Sequence, residues 1–493
     1  MNRTVVVNNW QRIVIVLIGM LASVFWIMAM SRDQSYFFVA AGVSILLFGL
    51  LPILAIKEFD WFCPWSALIL AILYGCTLPS ICMTYNLPNE EFVSENILLH
   101  QPVDHFVKPT LMLMGAIFCI GVGYFGYPAR ERVINIGRVV NPARLLPICA
   151  VCGGIAFLAF AAYFVLNGGL SGGLSSKRGT ITTIDVGADT GFSQHGYLRQ
   201  FAKLGNIALL LLAAYWSKFH VRAGSGTGFV RFMILGALLL LSVAFPFYSS
   251  SRAGVVWVVI GFIGVLYYMQ QKIVSIKSIA IVSVILIMVM FSTVVRNDGG
   301  ETHSAADRIG RLLLNRHGPD IAVTSHIVQN IPHKLEYKHG ETIAVWLLAP
   351  VPRELYPAKP LIHSGPVIGQ TLYGLNVSGV PPGMVAELYW NFHILGVIFG
   401  CVIFGVYMKI TYQTCKNLVA DPVLVIPIYI YAVFPIAFKA VTHSIGPAVI
   451  MPCVELVTVC FIVYVVSVTA QFAPAQSQPV SNPAFGDSQV SVT

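Results

Sequence analysis

YFFVAAGVSILLFGLLPILAI, residues 36–56, runs 21 positions without one charged side chain. As a helix rising 1.5 Å per residue it would reach about 30 Å, the thickness of a bilayer's hydrocarbon core. Similar stretches recur along the whole chain. Hydrophobic residues make up 57% of the 493 positions and charged residues only 10%, against about a quarter charged in soluble domains. These numbers predict an all-α polytopic membrane protein built as one helical bundle. Twelve spans are expected, at 13–30, 36–56, 64–84, 109–127, 145–166, 203–217, 232–248, 255–270, 279–295, 390–408, 422–440 and 447–469.

Residues 1–295 thus hold spans one to nine, 296–389 form one large loop, and 390–470 hold spans ten to twelve. Residues 471–493, rich in Pro, Ser and Gln, are expected to be a disordered tail. The first apolar run is too long for a typical cleaved signal and reads as a retained helix. The ten cysteines lie mostly inside apolar runs, where they read as small packing groups. Cys149 and Cys152 have no second pair or histidine beside them to suggest a metal or disulfide. No cofactor, metal or nucleic-acid partner is expected.

Charge sets the expected orientation. The N-terminus and the loops after even-numbered spans carry fourteen Lys and Arg, and the opposite short loops and span ends carry eight. By the positive-inside rule both termini face the cytoplasm and the 296–389 loop faces outward. No repeat divides the chain into similar halves, which weighs against the many transporters built from repeats.

The cytoplasmic loops are short and lack a phosphate-binding loop with its lysine, so chemistry driven by ATP or a nucleotide sugar is not expected. Gly224, Gly226 and Gly228 alternate there without a preceding strand and read as a turn. The outward segments are different. Lys177 and Arg178 sit in the Gly- and Ser-rich stretch 167–191, which reads either as a phosphate cradle or as a solvated loop. Arg252 stands in the turn Ser249-Ser250-Ser251-Arg252-Ala253-Gly254, at the depth of a lipid pyrophosphate. Its planar fork suits paired hydrogen bonds to phosphate, and the alternative is snorkelling to headgroups.

The long loop is hydrophobic enough to be ordered. Residues 307–329 alternate Arg308, Arg311, Arg316, His317, Asp320 and His326 with apolar side chains, and read as a partly helical stretch that lies on or dips into the membrane surface. Four prolines between Ala349 and Pro360 restrain Arg353 and Lys359. Glu387 follows Pro381-Pro382-Gly383 at the expected outer boundary. There it reads either as a general base or as a helix-start carboxylate paired with an arginine. Glu455, inside the last span, needs a partner, and Lys439 is the expected one in a structural ion pair.

Several of these segments together resemble the O-antigen and capsule repeat-unit polymerases, the Wzy-type family. The features are the Ser-rich turn with Arg252 and Gly254, Asn315-Arg316-His317 with Asp320, Pro352-Arg353 with Lys359-Pro360, and Pro382-Gly383 through Glu387 to Asn391-Phe392. The matching motifs lie within 250–393. His393 departs from the family pattern, in which a small residue, often glycine, follows Asn391-Phe392.

The resemblance implies a GT-C-like fold with an ordered outer loop, in the inner membrane of a bacterium. It implies transfer of a growing glycan from undecaprenyl pyrophosphate to a hydroxyl of a new lipid-linked repeat unit, with membrane lipid and a chain-length regulator as companions. Arg252, Arg316, Arg353, Arg178 and Lys359 would then hold pyrophosphates. Glu387 and Asp320 are rival bases, and His317 would orient the acceptor. Two other readings stay open. An O-antigen ligase has a similar layout, with His317 and His363 as its candidate loop histidines. A flippase of lipid-linked oligosaccharide should line its central cavity with charge, whereas here charge gathers outside the expected spans.

Overall fold

The computed structural model describes residues 9–30, 34–54, 56, 59–84, 102–128, 133–166, 169, 196–218, 226–248, 252–270, 321–348, 351, 356, 358, 360–374 and 380–469. The chain is mostly helical. Its long helices are α1 Asn9–Met30, α2 Gln34–Leu54, α3 Pro64–Thr84, α4 Asp104–Gly126 and α5 Pro142–Leu166. Short α6 Gly196–Ala202 precedes α7 Leu204–Lys218, α8 Gly226–Tyr248 and α9 Arg252–Gln270. Within the expected outer loop lie α10 Ile321–Asn330, α11 Glu341–Ala344 and α12 Ser364–Tyr373. The last three are α13 Gly383–Lys416, α14 Pro422–Thr442 and α15 Ile445–Val466.

Eight of these helices are long and apolar enough to cross a membrane: α3–α5, α8 and α13–α15, together with Tyr36–Leu54 of α2. The apolar stretches Val16–Met30 and Gly254–Gln270 are shorter, as is α7. Twelve spans would need these three and residues 279–295 as well, and the last lie outside the described residues.

Two glycines bring α4 and α13 into backbone contact. A Cβ on Gly123 would lie 2.1 Å from the Val402 carbonyl oxygen, and one on Gly405 would lie 2.2 Å from that of Ile120. Small residues allow such close approach between apolar helices, where lipid offers no hydrophobic drive to associate.

The long helices alternate in direction, so their ends form two distinct layers. At one end, β1 Ile134–Asn135 pairs in parallel with β3 Leu418–Val419, and β2 Arg138–Val140 pairs antiparallel with β4 Ser467–Thr469. Arg138 reinforces the second pair by donating to the Tyr464 carbonyl and Ser467 Oγ while stacking over the Tyr464 ring. This is the strand end. The opposite, loop end holds α10, α11 and α12.

One expectation changes at the loop end. In the described part of 307–329, Ile321 through Val328 are all buried within the protein. Ser325 Oγ and Gln329 Nε2 both donate to the His105 carbonyl at the start of α4. The tenth expected span starts seven residues earlier, at Gly383, and breaks inside. Phe392 lies at φ −138°, ψ 16° and His393 at φ 58°, ψ −157°. The break leaves the Trp390 carbonyl free to accept from the Lys338 amide, and the Trp390 indole donates to the Glu336 carbonyl. The loop thus supplies partners that a continuous helix would have kept internal.

Candidate functional site

Two polar constructions stand out, one at the loop end and one deeper among the helices. The first centres on Glu387, in the second turn of α13, whose side chain is fully buried. Thr342 Oγ1, from α11, donates to Glu387 Oε1 at 3.1 Å. The Ile445 amide, the first of α15, donates to Oε2 at 2.7 Å. An anion here satisfies an orphan donor and meets the positive end of the helix dipole. No cation pairs with Glu387 among the described residues, and the arginines of the long loop lie outside them.

Asn391, one turn along, completes the junction. Its Nδ2 donates to Thr342 Oγ1 at 2.7 Å and its Oδ1 accepts from the Gly340 amide at 2.8 Å. One carboxylate and one amide therefore pin α11 to the starts of α13 and α15. Trp346, in the turn after α11, closes the same junction by packing on Gly446, where any Cβ would lie 2.0 Å from the indole. The His363 ring meets the Trp346 ring edge-on at 4.8 Å.

Burial, reinforced by nearby His443, lowers the His363 pKa to about 4. Burial and the neighbouring Lys439 do the same to His443, whose Nδ1 lies 2.8 Å from Thr442 Oγ1. Both imidazoles are neutral at pH 7, with crowded surroundings that disfavour a second proton.

The second construction is an ion triad. Glu455, ten residues into α15, meets Lys439 Nζ at 2.6 Å and Lys203 Nζ at 3.3 Å. The sequence anticipates the Lys439 pair. Lys203, which immediately precedes α7, was not foreseen as a second partner and leaves the cluster with one surplus positive charge. The triad edges a cavity of about 310 Å³ between α7, α8, α9, α14 and α15, whose other walls include Leu210, Phe245, Trp257, Val258 and Ile430. Charge is therefore present between the helices, as the expected Glu455–Lys439 pair requires, and Lys203 adds to it.

The other site residues expected from sequence divide in two. Arg252 opens α9 two residues before Gly254, which lines the cavity, but its side chain lies outside the described residues. Arg178, Arg316, His317, Asp320, Arg353 and Lys359 also lie outside them. Sequence reading missed Lys203 and Thr342. One signal did point to Lys203: a carboxylate inside a span calls for compensation, and the lysine heading another span was available. No protein-family model matches the chain, and no curated protein or solved structure matches it either.

Proposed function

We propose that the chain polymerises lipid-linked oligosaccharide repeat units at the outer face of a bacterial inner membrane, with both termini cytoplasmic. The bond from the donor sugar's anomeric carbon to undecaprenyl pyrophosphate breaks. A glycosidic bond to the acceptor hydroxyl forms, the hydroxyl proton passes to a base, and undecaprenyl pyrophosphate leaves. Fixed cations lower the barrier by favouring the negative charge that grows on the leaving group. In this reading Arg252, Arg316 and Arg353 meet pyrophosphate, Arg178 and Lys359 assist, and His317 orients the acceptor.

One observation carries the reading: the Glu387–Thr342–Asn391 junction ties part of the long loop rigidly to the end of the bundle at which α9 begins with Arg252. A fixed platform over lipid-accessible helix ends is what alignment of two lipid-linked substrates requires. Glu387 and Asp320 remain the rival bases. Glu387 can serve only if the enclosure around its carboxylate opens to substrate, since a base must reach the proton that it takes.

A flippase is the second reading, favoured by the Lys203–Glu455–Lys439 triad facing a cavity between helices. Surface glycan from a deletion strain separates the readings. Loss of a polymerase leaves core bearing a single repeat unit and no ladder. Loss of a flippase or a ligase removes the single-repeat band too, and an unchanged ladder eliminates the polymerase reading.

A further inference from the structure

We propose that the cavity seats an anionic amphiphile, with Glu455 as a resident counter-ion that the incoming head displaces. The class is a phosphate-like anion attached to one long apolar chain, and the inference stands whether or not the chain joins glycans.

Three features carry it. First, Lys203 and Lys439 converge on Glu455 at 3.3 and 2.6 Å, so among the described residues the pocket holds two cations for one carboxylate. Partly buried cations that line a cavity favour an anion over a neutral occupant. Second, the volume is amphipathic. Its lining combines the two lysines and Asn206 with the apolar Leu210, Phe245, Trp257 and Val258. On α9 the lining runs from Gly254 to Gly261, about 10 Å along the axis, which gives room for the first part of a chain below a head. Third, Ser242 lines the same cavity, is 2% exposed, and its buried hydroxyl has no hydrogen-bond partner among the described residues. Buried hydroxyls are normally paired, so this one is a donor in waiting.

Displacement follows from the donor set. Glu455 takes its hydrogen bonds from two lysines that both have exposed surface, their side chains 35% and 23% accessible. A multiply charged head offers the same lysines more charge than one carboxylate does. Glu455 therefore competes with the ligand, and its removal should strengthen binding. A purely structural ion cluster predicts no such gain.

The probe is 12-bromododecyl phosphate, titrated into the full-length protein in a neutral detergent, with bromine quenching of tryptophan fluorescence as readout. Saturable quenching is expected, and its saturable part should vanish in Trp257→Phe. Lys203→Gln, which keeps the closer Lys439–Glu455 bond, should weaken binding about tenfold, and Glu455→Gln should tighten it about tenfold. Equal affinity in wild type and Lys203→Gln would overturn the proposal, and this variant retains the test if Glu455→Gln does not fold. Weaker binding by folded Glu455→Gln would overturn it as well. Two further arms identify the ligand class. Brominated dodecyl maltoside should not saturate the site, and inorganic phosphate should compete only at far higher concentration. Equal binding of either would contradict the amphiphile.

Discussion

Asp421, at the strand end, and Glu455, halfway along α15, are nearly buried carboxylates of one bundle, and their partners differ in kind. Asp421, at the strand end, caps α14 through the Val423 amide at 3.1 Å and takes the Val140 amide at 3.3 Å and Lys218 Nζ at 2.8 Å. One cation and two backbone donors saturate it. Asp60, nearby, is likewise closed by the Tyr268 and Tyr412 hydroxyls at 2.6 and 2.8 Å and the Phe62 amide. Glu455 has two lysines and, among the described residues, no backbone donor. A saturated carboxylate holds loops together. A carboxylate outnumbered by cations beside a cavity marks a place where another anion can enter.

Glu387 belongs chemically with Asp421, although it sits at the loop end, and this is the sharpest point at which to break the comparison. If it also serves as base, Glu387→Gln cuts glycan transfer by about a hundred- to ten-thousand-fold while the protein still melts cooperatively. A normal rate in the purified variant would leave it as a clamp only and move the base to Asp320.

The next largest effect is steric. Gly446→Ala puts a methyl into the Trp346 indole and must lift the turn after α11 from α15, at a cost of about 3 kcal/mol. Thermal melting and loop proteolysis should both register it. An unchanged melt would mean that the junction is not held at Trp346.

Asp421→Asn is smaller and different in kind. It forfeits the ion pair with Lys218 and mismatches one backbone donor, for about 2 kcal/mol, yet glycan length should not change. A shortened ladder at unchanged protein level would show that the strand end takes part in function and would erase the contrast.

An effect of another kind is on pH dependence. His363 and His443 have folded pKa values near 4, below the unfolded value of about 6.5. As pH falls through 6.5 the unfolded chain takes up protons first, so the stability due to neutral imidazole is lost between pH 6.5 and 4. For His363 the slope reaches at most about 1.4 kcal/mol per pH unit. Melting at pH 7.5, 5.5 and 4.5 should show the decline, and His363→Gln should flatten part of it. A flat wild-type profile would contradict it.

The membrane helices were legible because their cause is local: runs without charge need a partner phase, and composition alone reveals it. The break at His393 was not. The sequence does show a departure there, a histidine where the resembling family often has glycine, and the backbone explains why that matters. At φ 58° a residue with a Cβ is strained, and the Tyr389 and Tyr337 rings at 4.8 and 6.0 Å accompany it. The break exists because α11 and Lys338 supply partners from some fifty residues away, which no local pattern encodes. Glu387 was legible as a residue, but its hydrogen bonds to Thr342 and the Ile445 amide were not, for the same reason. Lys203 and Glu455 lie 252 positions apart in sequence, and only helix packing brings them together.

The most direct test of the polymerase reading is reconstitution of the full-length chain in vesicles with a repeat unit linked to undecaprenyl pyrophosphate. The expected result is glycans of two or more repeats, with one undecaprenyl pyrophosphate released for each new glycosidic bond. Repeat units that stay single, whether or not they change leaflet, would contradict it.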